Sequence, residues 1–80
     1  MTRNPLQYRL RTDRFDELTT AKGWRDDLQR ATNIGVSHST ISRIRARKMR
    51  PGLRFIGLAT AALGVHIDEL FEIEQEAPTR

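Results

Sequence analysis

Arginine supplies most of the chemistry that this 80-residue chain can perform. Twelve of its fourteen cationic residues are arginine, whose planar guanidinium makes bidentate contacts with phosphate and with the guanine base edge. The charges are sorted along the chain, because no carboxylate lies between Leu28 and Ile67, whereas five acids and no base lie from Asp68 to Glu76. This separation predicts a polyanion-binding face and a second face with another role. The cations of the middle segment are Arg30, Arg43, Arg45, Arg47, Lys48, Arg50 and Arg54.

Few residues have the types and spacing that catalysis or metal binding requires. Ser42 and His38 lie one helical turn apart, but a catalytic triad also needs a carboxylate, and the neighbouring sequence has none. His66 and Asp68 are too few for a metal site of three or four ligands, and the absence of cysteine excludes disulfides and thiolate zinc sites. We therefore expect a protein that is not an enzyme and that uses no metal, cofactor or small-molecule ligand.

The length allows a single small domain with a thin core, since a chain of this size buries only ~60% of its unfolded surface. The longest uncharged stretch, from Phe55 to Ile67, is shorter than the ~20 apolar residues that span a bilayer. No secretory signal follows the first residues, so we expect a cytoplasmic protein without a membrane segment. The predicted divisions are an arm over 1–12, a helical domain over 13–76 and a frayed tail over 77–80.

Hydrophobic spacing predicts five short helices. The first covers about 14–22, with Asp13 as its N-cap. The second begins at about Trp24 or Arg25, continues along the apolar stripe that follows, and ends at Gly35. The fourth covers about 53–63, and the fifth begins at Ile67. The stripe of the second helix is Trp24, Leu28, Ala31 and Ile34, and the apolar residues of the fifth are Leu70, Phe71 and Ile73.

The third helix has the clearest local signals. Gly35 supplies the left-handed conformation of a tight turn, and Ser37 is placed to cap the helix that follows. Ile41 and Ile44 then anchor that helix from beneath, while Ala31 lets it cross closely over the second helix. The N-terminal outer face of such a helix stays free and fits the ~12 Å major groove of B-DNA.

Two separated segments resemble one family. The segment 35–44, together with Lys48 and Pro51, resembles the helix-turn-helix of the Cro and lambda-repressor-like proteins of phages and bacteria. Residues 53–71 are similar to the closing helices of the same family, without a gap. The resemblance implies an all-α, five-helix domain that binds operator DNA, usually as a dimer on an inverted repeat, and represses or activates transcription. A single small domain without a sensor resembles a phage Cro protein or immunity repressor most.

The resemblance also implies which residues touch DNA. This chain has Arg30, Arg45 and Arg47 where the family usually has leucine, glutamate and glycine, and the last two changes add charge beside the expected backbone path. The expected base contacts are His38, Ser39, Thr40 and Arg43. The expected phosphate contacts are Arg25, Arg45, Arg47, Lys48 and Arg50.

Two points stay open from the sequence. The alternation of Leu6, Tyr8 and Leu10 predicts a short strand that pairs with its twin in a homodimer or lies loose along DNA as a basic arm. The dimer interface is therefore this strand or the fifth helix with Phe71 and Ile73. The competing functions are a protein-interaction module, such as an antitoxin-like partner subunit, and a non-specific nucleic-acid binder, although no aromatic stacking platform for RNA is apparent.

Overall fold

A computed structural model of the chain describes residues 7–74 and has five helices and a two-stranded sheet. The expectation of five helices is confirmed, but the all-α description omits the sheet, so the domain is mainly helical. Leu6 and the predicted tail over 77–80 lie outside the described residues. The elements are β1 (Gln7–Leu10), α1 (Thr12–Ala21), α2 (Asp27–Ile34), α3 (His38–Arg45), α4 (Leu53–Leu63), α5 (Ile67–Leu70) and β2 (Phe71–Glu74).

The core draws apolar side chains from every element. Phe55 of α4 lies at its centre, with ring centroids 6.4 Å from Phe15 of α1 and 6.0 Å from Phe71 of β2. The Phe55 and Phe71 rings pack edge to face and the Phe15 ring is tilted, and such aromatic pairs add to the free energy gained from the buried apolar area. The other buried apolar residues are Leu10, Ala31, Ile34, Ile41, Ile44, Ile56, Ala59, Leu63 and Leu70.

The strand at the N-terminus pairs within its own chain. β1 runs antiparallel to β2, with Leu10 opposite Phe71 and Tyr8 opposite Ile73. The strand therefore neither pairs with its twin in a second chain nor lies loose as an arm. The predicted fifth helix also ends earlier, at Leu70, and Phe71 and Ile73 belong to β2. The physical reason is that pairing satisfies the backbone groups of both strands and buries Leu10 and Phe71 on one face.

The first two helices begin at other residues than the sequence predicts. α1 starts at Thr12, with Arg11 in the N-cap position and no side-chain cap, instead of after Asp13. α2 starts at Asp27, and its true cap is Asp26, whose carboxylate accepts the Gln29 backbone N–H at 2.8 Å. The predicted start at Trp24 or Arg25 is wrong because the Trp24 N–H instead closes the end of α1 by bonding the Thr19 carbonyl at 3.0 Å.

The later start of α2 changes which of its faces is buried. Leu28, expected on the apolar stripe, is 62% exposed. The inward stripe keeps Ala31 and Ile34, but Asp27 and Arg30 join it in place of Leu28, at the i, i+3, i+4 and i+7 spacing of one helix face. Two charged residues therefore face the neighbouring helices, and they need partners there.

Candidate nucleic-acid interface

The connection from α2 to α3 consists of only three residues, 35–37. Gly35 adopts φ 97°, a left-handed conformation that costs other residues energy, and its N–H bonds the Ala31 carbonyl at 2.8 Å. Ser37 caps α3, because its Oγ accepts the Thr40 backbone N–H at 3.1 Å. The predicted C-cap and N-cap are both confirmed.

α3 has one buried face and one exposed face. Ile41 and Ile44 are buried in the core, as predicted. At 3.6 residues per turn, Ser39, Ser42 and Arg43 lie opposite them, and all three are exposed. His38, the first residue of the helix, is also exposed.

Hydroxyl groups surround the cap at the start of α3. The Ser37 Oγ lies 3.1 Å from the Ser39 Oγ and 2.9 Å from the Thr40 Oγ1. Thr40 is half-buried, whereas Ser39 is exposed. A hydroxyl both donates and accepts hydrogen bonds. The hydroxyls of Ser39 and Thr40 can therefore give up their hydrogen bonds to Ser37 and donate to an acceptor outside the protein instead.

Arg45, expected to bind phosphate, is instead directed into a cluster of charged side chains between three helices. Its Nε and Nη2 donate to Asp27 at 2.7 and 2.9 Å, and its Nη1 and Nη2 donate to Asp16. The Arg45 guanidinium carbon also lies 5.6 Å from the centre of the Phe15 ring. Since all three guanidinium nitrogens bond to carboxylates of the same chain, Arg45 holds α3 against α1 and α2.

Arg30 completes this group, which we call the aspartate–arginine cluster (Asp16, Asp27, Arg30 and Arg45). Arg30 is buried, and its Nη1 donates to Asp27 at 3.0 Å. Its Nε donates at 2.6 Å to the buried hydroxyl of Thr19. Arg30 and Arg45 are two of the positions where the sequence departs from the Cro-like pattern, and the structure brings both to the same carboxylate.

The cluster favours its charged state. Hydrogen bonding from Arg45 holds the pKa of Asp27 below its usual value, although partial burial acts in the opposite direction and Arg30 adds a smaller effect. The same contacts, first with Asp27 and then with Asp16, raise the pKa of Arg45. The spacing in the sequence could have indicated this inward position of Arg45, because Arg45 follows the buried Ile41 by four residues and residues four apart share one helix face.

The loop after α3 turns at an arginine. Arg47 has φ 62°, a left-handed conformation that costs an L-residue roughly 1–2 kcal/mol. Its N–H bonds the Ile44 carbonyl at 3.2 Å, and the Lys48 N–H bonds the Arg43 carbonyl at 2.9 Å, which together form a Schellman motif. Glycine is the usual residue at such a position, so Arg47 keeps a side chain at an energetic cost.

The remaining predicted cations are exposed, and they lie in the segments before α2 and after α3. Arg25 lies just before the cap of α2, and Arg47, Lys48 and Arg50 lie in the loop that leaves α3. Sequence reasoning gave no role to Arg54, an exposed residue in the first turn of α4. A cavity of about 430 Å³ brings Arg54 and Arg50 to the side of α3 that carries Ser37 and Thr40. In the sequence, the position of Arg54 shortly after the Pro51–Gly52 break could have indicated that this cation lies near α3.

Two further features are missing from the part of the chain that the structure describes. Residues 7–74 contain no group of three or more side chains that could hold a metal ion. They also contain no helix long and apolar enough to cross a membrane. No family model matches the sequence, and comparison with curated proteins and with solved structures found no match. The interpretation of this surface therefore depends on its own residues.

Neutralising Asp27 tests the aspartate–arginine cluster. We expect Asp27→Asn to lower the free energy of unfolding at pH 7 by about 2 kcal/mol, because Arg30 and Arg45 both lose the carboxylate of Asp27 and Arg45 keeps only that of Asp16. Since the folded pKa of Asp27 is lowered, its stabilising effect is present above the unfolded pKa of ~3.9 and is lost as the pH falls through the folded pKa. In urea unfolding, the difference between wild type and variant should therefore shrink below about pH 4. A difference that does not change between pH 7 and pH 3 would contradict this assignment.

Replacing Arg47 by glycine should stabilise the protein. We expect Arg47→Gly to raise the free energy of unfolding by about 1 kcal/mol, because glycine adopts the left-handed conformation without strain. Arg47→Ala is the matched control, since it removes the same charge but keeps a Cβ. Thermal unfolding of both variants checks this prediction, and equal melting temperatures would show that the strain is not released.

Proposed function

We propose that the protein is a sequence-specific DNA-binding transcriptional regulator of the Cro or lambda-repressor type, which uses α2, the turn and α3 as its helix-turn-helix. One observation carries this proposal. The face of α3 opposite Ile41 and Ile44 is exposed, it carries Ser39, Ser42 and Arg43, and further exposed cations lie in the segments just before α2 and just after α3. A short exposed helix between cations is the arrangement that enters the major groove while the flanking cations bind phosphate.

Base recognition is proposed for the first six residues of α3. The helix has eight residues, and an α-helix with its side chains is ~10–12 Å in diameter, which fits the ~12 Å width of the major groove. Arg43 donates to guanine O6 and N7, a bidentate contact that discriminates by ~1–3 kcal/mol. His38, Ser39 and Thr40 supply shorter donors and acceptors near the start of the helix.

Phosphate binding is proposed for cations on both sides of α3. Arg25 lies before α2, where one DNA strand would pass, and Arg47, Lys48 and Arg50 lie in the loop near the other strand. Arg45 does not belong to this group, because its guanidinium is bound by Asp16 and Asp27. Arg54 takes its place, since it shares a cavity with Arg50 beside α3.

Dimer formation is proposed at the outer edge of β2. Of the residues expected at an interface, Leu10 and Phe71 are buried within the chain and are not available to a partner. Ile73 is 55% exposed, and within residues 7–74 its strand pairs on one side only. A free strand edge with an exposed apolar residue is a template for pairing with a second chain. The two copies would then present two α3 helices to an inverted repeat.

Selection from a random DNA library tests sequence-specific binding. We expect the purified chain to enrich an inverted repeat whose half-sites lie one helical turn apart, ~34–36 Å. On the selected site, Arg43→Ala should cost ~1–3 kcal/mol and relax the preference at one base pair of each half-site. Arg47→Ala should weaken selected and random duplexes alike and reduce the salt slope by about one.

Gel-shift titrations with selected and random competitor DNA at several salt concentrations measure these quantities. If both variants affect the two duplexes equally, the base contact assigned to Arg43 is wrong. If no sequence is enriched but random DNA is bound, the protein is a non-specific binder. If no duplex is bound until a protein partner is added, the interaction-module hypothesis is correct instead.

Polar substitution of Ile73 tests the dimer. We expect Ile73→Ser to raise the dimer dissociation constant about tenfold or more, because the apolar contact at the centre of the strand pair is lost. Leu53→Ser is the matched control, since Leu53 is 85% exposed but belongs to α4 and not to either strand. Sedimentation of both variants decides the outcome, and a dimer that responds to Leu53 instead of Ile73 would place the interface elsewhere.

A further inference from the structure

A cationic trench lies beside the loop that leaves α3. One wall is β1 with the start of α1, and the other wall is the α3–α4 loop. The trench consists of two cavities of about 260 and 340 Å³ that share Arg9, Leu10 and Arg47 as lining residues. The cations that line it are Lys48, Arg50, Arg47, Arg9, Arg11 and Arg14.

The charges of the trench are unbalanced. Six cations line it, against the carboxylates of Asp13 and Glu72. Glu72 is already used, because its Oε2 accepts the Arg9 Nε at 3.0 Å and the Arg9 Nη2 at 2.7 Å. Its negative charge is therefore offset within the trench itself.

Three of the cations have no partner within the described residues. Arg14 is held by Glu17 at 2.8 Å and by Glu69 at 3.8 Å. Among residues 7–74, the side chains of Arg11, Arg47 and Lys48 form neither an ion pair nor a hydrogen bond. Both walls therefore carry unpaired charge, and the two walls belong to elements far apart in sequence.

The trench is continuous with the proposed interface at Arg47. The left-handed backbone at this residue belongs to the turn that ends α3, and the Arg47 side chain lines both cavities. β1 is ~13 Å long, so the trench has room for more than one phosphate. A DNA strand that leaves the α3 groove past Lys48 and Arg47 would next meet Arg11.

We propose that this trench is a second phosphodiester site, which extends the DNA contact beyond the helix-turn-helix, and that Arg11 is its far contact. The inference rests on the proposed function, because it takes the ligand to be the same duplex that α3 reads. Phosphate is favoured over the carboxylates of an acidic peptide because Arg47 belongs both to the trench and to the turn that ends α3, so the DNA proposed to bind α3 would already lie beside the trench. Contact with the backbone outside the base-reading region adds affinity without adding sequence information.

Removing the charge of Arg11 tests the trench. Arg11→Gln keeps the backbone N–H that bonds the Leu70 carbonyl at 2.9 Å, so the fold should be unaffected and the melting temperature unchanged. On a random duplex we expect the slope of log K against log salt to fall by about 0.9, the value for one phosphate contact. Lys22→Gln is the control, because this exposed residue lies at the opposite end of α1.

Single neutral methylphosphonates in the selected duplex locate the contact. At one phosphate outside the base-reading region, the methylphosphonate should lower the affinity of the wild-type protein for the duplex several-fold. The same substitution should not lower the affinity of Arg11→Gln any further. The ratio of specific to random affinity should be the same for wild type and Arg11→Gln.

The outcomes separate the two proposals. If Arg11→Gln keeps the wild-type slope while Arg43→Ala relaxes specificity, the trench proposal is overturned and the proposed function stands. If the wild-type chain binds no duplex, the proposed function fails and the trench proposal fails with it. If the protein binds an oligoglutamate peptide through Arg11 but binds no DNA, the ligand is an acidic protein and the trench proposal is also overturned.

Discussion

The orientation of α3 depends on the aspartate–arginine cluster. Ile41 and Ile44 pack α3 against the core. Two neighbouring apolar side chains restrict the rotation of the helix about its own axis only weakly. Arg45 removes that freedom, because it binds Asp16 of α1 and Asp27 of α2 at the same time. Desolvation makes such a cluster a weak source of net stability, whereas its geometry is strict. Its main effect is therefore to set the direction in which Ser39 and Arg43 point.

The local features of α2 and α3 were predictable because each depends on neighbouring residues. Gly35 needs a left-handed backbone, Ser37 bonds a group three residues on, and the two isoleucines follow the helical period. The start of α2 was not predictable in this way. Trp24 has the spacing of an apolar stripe, but its backbone N–H donates to the carbonyl of Thr19 at the end of α1. The N-cap of α2 is therefore Asp26, which lies further along the chain.

The roles of individual charges could not be read from the sequence, because they depend on residues that are distant in it. The separation of acids and bases along the chain defines a basic middle segment. It could not show that Arg45 meets Asp16, 29 residues away, or that Arg9 meets Glu72, 63 residues away. β2 was missed for the same reason, since Phe71 and Ile73 suit a helix end as well as a strand, and the partner strand that decides between them lies at the other end of the chain.

The carboxylates of this domain divide its arginines into two groups. Those that meet an aspartate or glutamate become part of the fold, as Arg9, Arg14, Arg30 and Arg45 do. Within residues 7–74, the side chains of Arg11, Arg43 and Arg47 form no such pair, and these arginines lie along α3, its following loop and the trench. A small domain with net charge +4 is destabilised by its own repulsion, and a strained backbone at Arg47 adds to that cost. A polyanion that binds the unpaired arginines would offset both, so the features that weaken the free protein are the same ones that would favour the proposed complex with DNA.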